Sequence, residues 1–327
     1  MDGADLASFV GGAFDVRAVV ADIRPETKRA ILLDAVPWGN FPHGGRAREA
    51  VHLLHTGDST PRRATGLLAG LCANDSRAAA ALAVPFLIPI ATDAHHPHRA
   101  DALGVLSAPA RARHFGVASR EELLAHRTDP LRHSPDDYDD YGVEVTGYPA
   151  GWSVAAARAA ITAEIPVLLP LLDNPDATLR IDAAYALATV GDHDHTVRTA
   201  FATRLAKERD ALVSAALLLA AAETSRADPH PPTTLWIRER WQDRTLAPET
   251  RLAAAIGWLC LTDVPVPDDL RHTFDTLATD ERAHAMDALP WMAAAAGSDE
   301  PGLLRCVRRM LHSEEPEPDD DPWAGLF

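Results

Sequence analysis

Residues 136 to 152, DDYDDYGVEVTGYPAGW, gather side chains that could do acid–base work. Neighbouring carboxylates such as Asp139 and Asp140 raise one another's pKa, and a tyrosine can supply a proton. Three of the chain's four tyrosines lie in this stretch, with five acids and no base. Catalysis needs a fixed geometry, whereas consecutive loop residues point in different directions. Recognition suits the same composition better, because Tyr and Trp give rigid contact area and Asp gives charge complementarity. Asp136, Asp137, Tyr138, Asp139, Asp140, Tyr141, Glu144, Tyr148 and Trp152 are therefore the first candidates for a partner-binding surface. The competing reading is a solvated acidic connection, and no catalytic residue is assigned.

Histidines raise a second chemistry. HHPHR holds His95, His96 and His98, and GDHDH holds His193 and His195 beside Asp192 and Asp194. Imidazole and carboxylate together suit zinc or nickel. Both groups fall at turns or just after a helix, where polar residues are expected anyway, so the sequence assigns no metal and no cofactor. His-Glu-x-x-His, Gly-x-Ser-x-Gly, Gly-x-Gly-x-x-Gly and Cys-x-x-Cys do not occur, and neither lysine (Lys28, Lys207) follows a glycine as a phosphate-binding loop requires.

The formal charge of −16 is unevenly spread. The acidic stretch carries five acids, and residues 313–327, SEEPEPDDDPWAGLF, carry six with no base. An anionic surface repels phosphate backbones and favours cationic partners, which disfavours nucleic acid. Low apolar content and self-repulsion predict a flexible tail, with Trp323, Leu326 and Phe327 as a candidate docking motif at its end. Trp38, in PWGNFPHGG, reads as packing at the start of the helical array. Cys72, Cys260 and Cys306 are widely spaced and read as buried, reduced thiols. The acidic start MDGAD is unlike a signal peptide, and no apolar window is long enough to span a membrane, so a cytoplasmic protein is expected.

The elements that must position these residues show a repeat. In EIPVLLPLLDNPDATLRIDAAYALATVGD, from Glu164, an apolar run ends at Asp173 and Asn174-Pro175-Asp176 supplies a turn. A second helix follows with Leu179, Ala183, Leu187 and Val190 on one face and Gly191 as its C-cap. Similar units place an arginine early in the second helix at Arg63, Arg99, Arg180, Arg251 and Arg282, with Ser214 at the aligned position. The intervals are 36, 81, 34, 37 and 31 residues, a period of two helices broken once by an insertion. Within that insertion, residues 120–124 read as a short helix capped by Ser119, and Ser153 reads as the cap of the next helix, from Val154.

The Pro…Asp…Arg…Ala-Leu pattern, clearest in residues 164–192, resembles HEAT repeats. The run from Pro37 to Cys72, followed by AVPFLIPI, is similar to a group of bacterial HEAT-type proteins. The resemblance implies an all-α fold, a right-handed α-solenoid of helical hairpins with a loop-rich insertion. It also implies a structural ladder of Asp58, Arg63, Asp93, Arg99, Asp176, Arg180, Arg251 and Arg282, in which each Asp caps or bridges units and pairs with its Arg. The expected organisation is a cap and repeats in 1–109, the insertion in 110–152, further repeats in 153–312 and the tail in 313–327. Asp5 to Thr27 and Leu303 to His312 are the expected polar ends of the stack. A single hairpin cannot bury its apolar face, whereas stacked hairpins share a core and expose a long recognition surface. The expected function is a scaffold or regulator for a basic protein partner, of the antidote kind, through the concave face and insertion. The alternative is an enzyme or accessory factor of a small-molecule pathway, with a pocket closed by the 136–152 loop. A HEAT-like DNA glycosylase comes third, against the acidic charge.

Overall fold

The computed structural model describes residues 14–57, 61–73, 76–111, 117–124, 146–190, 195–226 and 231–312. Among the described residues the protein is all-α, with no β-strand. They divide into two compact units: those within Met1–Ala112 and His126–Ala200, and those within Arg113–Ala125 and Phe201–Phe327.

The first unit contains α1 (Val16–Asp22), α2 (Pro25–Arg29), two 3₁₀ turns (Leu33–Ala35, Trp38–Asn40), α3 (Gly44–Thr56), α4 (Pro61–Ala73), α5 (Arg77–Thr92) and α6 (Arg99–Leu106). After the insertion come α7 (Ala150–Ala163), α8 (Ile165–Leu168) and α9 (Ala177–Leu187), while α10 (His195–Leu205) spans the division between the units. The centre of this unit is α5, RAAAALAVPFLIPIAT, which packs against α1, α2, α3, α4, α6 and α7. Every residue from Ala78 to Ile88 is buried. Its alanines allow close approach on several sides, and Pro85 and Pro89 remove two N–H donors near its end. The same effect acts after Glu164: Pro166 is accommodated in the first turn, and Pro170, lacking an N–H for the i→i−4 bond, confines the helix to the single turn of α8, followed by a 3₁₀ segment, Leu169–Asp173.

The three-strong face Leu179, Ala183 and Leu187 of α9 is buried as the spacing predicts, and so is Val190 beyond it. Two expected caps differ. The helix after the insertion starts at Ala150, with Pro149 at the cap position, so Ser153 lies inside α7 and is fully buried. Residues 119–124 form a turn, with the Ser119 carbonyl accepting from the Glu122 and Leu123 N–H groups and the Ser119 hydroxyl donating to Glu122 Oε2. Gly191, the expected C-cap of α9, lies outside the described residues.

The second unit contains α11 (Ala211–Glu223), α12 (Pro231–Gln242), α13 (Pro248–Cys260), α14 (Asp268–Leu277), α15 (Asp280–Met286), α16 (Pro290–Ala295) and α17 (Gly302–Leu311). Asp210 starts α11 by accepting from the Leu212 and Val213 N–H groups. From Val213 to Glu223 that helix is buried throughout, packed on α12 and α13. Gly257 of α13 permits the crossing: a Cβ there would stand 3.0 Å from the Ala222 Cβ. Buried Glu223 accepts the Trp291 indole N–H at 2.6 Å. Cys72, Cys260 and Cys306 are buried, and burial pushes the Cys260 thiol up to about 12.

Candidate functional site

Of the nine partner-binding candidates, the structure describes Tyr148 and Trp152. The other seven, Asp136 to Tyr141 and Glu144, lie outside the described residues, as do Asp58, His193 and the tail motif Trp323, Leu326 and Phe327. Tyr148 is buried, packed edge-on against Phe41 and Trp152. Its hydroxyl donates to the Phe14 carbonyl (2.7 Å) and accepts from the Val16 N–H (2.8 Å) at the start of α1. The Arg17 guanidinium lies 4.2 Å over the Trp152 ring and forms two bonds to Asp15, whose carboxyl it holds below its usual range. These two aromatics thus tie the C-terminal end of the insertion to the first unit. The N-terminal end is tied to the second: Val117, Ala118, Leu123 and Leu124 are buried, and Arg120 donates to the Val264 and Met310 carbonyls. Trp38 is also buried and structural, its indole N–H donating to the Leu33 carbonyl at 2.8 Å.

Three of the expected ladder arginines reach main-chain carbonyls. Arg180 donates to the carbonyls of Asn174 (2.7 Å) and Pro175 (3.0 Å), Arg251 to that of Trp241 (3.1 Å) and Arg282 to that of Leu277 (2.8 Å). The Trp241 and Leu277 carbonyls lie in the last turn of a helix, where intrahelical donors are lacking and the dipole is negative, so a cation from the next helix satisfies both. Asn174 and Pro175 lie in the turn before α9. Asp176 caps α9 by accepting from the Thr178 N–H. The Asp93–Arg99 pair is corrected: the Asp93 carboxylate accepts from the His95 N–H, and Arg99 Nε is buried with no hydrogen-bond partner among the described residues. Arg63 pairs with Glu49 of the preceding helix, and Arg282 also approaches Glu249 of α13 at 3.8 Å.

His96 stacks on His55, with ring centroids 6.3 Å apart, and stands 6.2 Å from His98. Burial first, then His96 and His52, lowers the His55 pKa. Among the described residues no three His, Cys, Asp or Glu side chains converge to hold a metal ion. On α9, Asp182 faces α6, where a Cβ at Gly104 would stand 3.7 Å from its Oδ2. Burial, and then the Asp176 carboxylate, pushes Asp182 up to about 7.

A surface cavity of about 420 Å³ lies in the second unit, at the junction of α12, α13 and α14. Trp241 and Thr273 are its buried members, Leu277 is partly covered, and Arg244, Arg251 and His272 supply donors, with Asp269 as the one acid. Trp241 packs on Trp258, centroids 6.1 Å apart, and its own indole Nε1 is buried with no acceptor among the described residues. The sequence reading treats Arg251 as structural and passes over the others. The available signal is the cluster RERWQDR followed by Arg251 and His272, which brings cations and a tryptophan to one end of three successive helices. Asp182 carries a similar signal, as an acid between buried Ile181 and Ala183.

Comparison of the chain with protein-family models, with curated proteins and with solved structures finds no match in any of the three.

Proposed function

We propose that this chain is a non-catalytic interaction module, a right-handed α-solenoid of HEAT-like hairpins that holds a basic protein partner in the cytoplasm. The observation that carries the reading is the recurring clamp. Arg180, Arg251 and Arg282 each reach back from an early helix position to main-chain carbonyls before it; Arg251 and Arg282 are 31 residues apart and Arg180 and Arg251 are 71, with Ser214 at the position between. Such a device serves stacking of like units, and stacked hairpins present an extended surface for another protein. The acidic insertion supplies the charge complementarity, with its two flanks anchored by Arg120 and by Tyr148 and Trp152. An antidote that masks a cationic protein is the concrete form of this reading.

The test is affinity capture of partners from cells of the source organism, repeated across a salt series and with Asp136, Asp137, Asp139 and Asp140 all changed to Asn. A protein retained by the native chain and released by salt or by the four substitutions is expected. Retention indifferent to both refutes the reading.

The cavity at Trp241 favours a second reading, an accessory factor that holds a small molecule. Its walls combine an apolar floor with a few directed donors, which is the make-up of ligand sites.

A further inference from the structure

We propose that the cavity between α12, α13 and α14 is a binding site for a small organic carboxylate. This goes beyond the partner reading and does not depend on it. Three helices contribute donors to one hollow: Arg244 follows the end of α12, Arg251 lies early in α13, and His272 projects from α14. Arg244 makes no hydrogen bond or ion pair among the described residues. Arg251 spends its Nε–H on the Trp241 carbonyl, and its terminal N–H groups have no partner there. The Trp241 indole N–H is likewise buried and unanswered. Arg244 and His272 are exposed and Arg251 partly so, which leaves their donors open to an anionic acceptor entering the hollow, and a hydrogen bond with an ionised partner is about twice as strong as a neutral one.

The charge of the lining selects the acceptor. Two guanidinium groups stand against one carboxylate of the lining, Asp269, with the Asp243 carboxylate, which Thr245 chiefly, and Arg251 with it, hold below its usual range, beside them. With two acids nearby, a monoanion is the better fit, since a phosphate dianion would set its second charge against Asp269 and Asp243. Arginine also presents two parallel N–H groups that fit a planar carboxylate in bidentate fashion. Trp241, Leu277 and the Thr273 methyl offer the apolar contact for the body of the ligand, and the volume suits a molecule of one ring rather than a folded partner. The protein's overall negative charge acts weakly here, because exposed charges beyond about 10 Å are screened at moderate salt.

Isothermal titration of the full chain with 3-phenylpropanoate tests the site, alongside its neutral amide and phenyl phosphate. The carboxylate is expected to bind in a one-to-one complex, with the amide at least about tenfold weaker. Arg244→Gln, at an exposed position, is expected to weaken carboxylate binding by about tenfold or more while leaving the urea midpoint unchanged. Failure of 3-phenylpropanoate to bind, or binding unaffected by Arg244→Gln, overturns the site. Tighter binding of phenyl phosphate, or of an end-blocked glutamyl peptide, overturns the assignment to a small carboxylate. None of these outcomes bears on retention of a basic partner, so the two readings fail separately.

Discussion

Arg251 of α13 donates its Nε–H to the Trp241 carbonyl, in the last turn of α12, at 3.1 Å. One bond thus ties the end of one helix to the beginning of the next; Arg282 repeats it at Leu277, and Arg180 holds the turn before its own helix at Asn174 and Pro175. Changing any of the three to Met keeps the aliphatic stem and removes the donors. Each substitution is expected to cost about 1–3 kcal/mol in urea unfolding. Lysine is expected to recover little, because it lacks the planar fork. Losses below about 0.5 kcal/mol at all three sites would reduce the clamp to a surface ornament.

Gly44 and Gly45 are adjacent in sequence and opposite in consequence. A Cβ on Gly44 would stand 1.9 Å from the Trp38 carbonyl oxygen, whereas one on Gly45 meets nothing within 4 Å. Gly44→Ala must therefore displace backbone and is expected to destabilise by about 2 kcal/mol or more. Gly45→Ala is expected to be neutral or to stabilise by up to about 1 kcal/mol, through helix propensity. Thermal unfolding of the two variants side by side separates the cases, and equal shifts would contradict the close approach.

Asp182 gives stability an acid-side dependence. Its pKa rises from 3.8 when unfolded to about 7 when folded, so between those values the folded chain binds the extra proton. Its contribution to stability therefore falls as pH rises through this window and levels off above about pH 8. Asp182→Asn removes the penalty. It is expected to stabilise the protein by about 1–4 kcal/mol above pH 8 and to change little near pH 4, as read by urea unfolding at the two pH values. A gain of the same size at both would show that Asp182 does not titrate in this way.

Glu223 and Trp291 form a buried pair in the second unit, Oε2 to Nε1 at 2.6 Å. Glu223→Gln keeps an acceptor for the indole and is expected to cost less than about 1 kcal/mol. Glu223→Leu removes it and is expected to cost about 2–3 kcal/mol. Equal stability of the two variants in chemical denaturation would show that the bond contributes nothing.

Much of the helical organisation was legible in the sequence because turn chemistry is local. Asn174-Pro175-Asp176 announces a helix start, and the helix begins there, with Asp176 as its cap. Burial of Leu179, Ala183 and Leu187 followed from spacing alone. Ser153 was misread because capping residues are equally at home inside a helix when a neighbour supplies the start, here Tyr148-Pro149. Arg180, Arg251 and Arg282 stand early in their helices as the spacing predicts, but their carbonyl partners were not legible, since sequence does not show which carbonyls the preceding segment leaves open. Tyr148 read as a surface aromatic because its acceptor and donor, at Phe14 and Val16, lie more than 130 residues away. The cavity escaped notice for a similar reason: Arg244, Arg251 and His272 become neighbours only when three helices pack.

The central claim, an interaction module whose acidic insertion holds a basic partner, is tested most directly by one titration. The partner recovered by affinity capture is purified, and its dissociation constant is measured for the native chain and for the variant with Asp136, Asp137, Asp139 and Asp140 changed to Asn. The account predicts that the four substitutions weaken binding by about tenfold or more at low salt, and that the difference shrinks as salt is raised. Equal affinity of the two proteins at every salt concentration would contradict it.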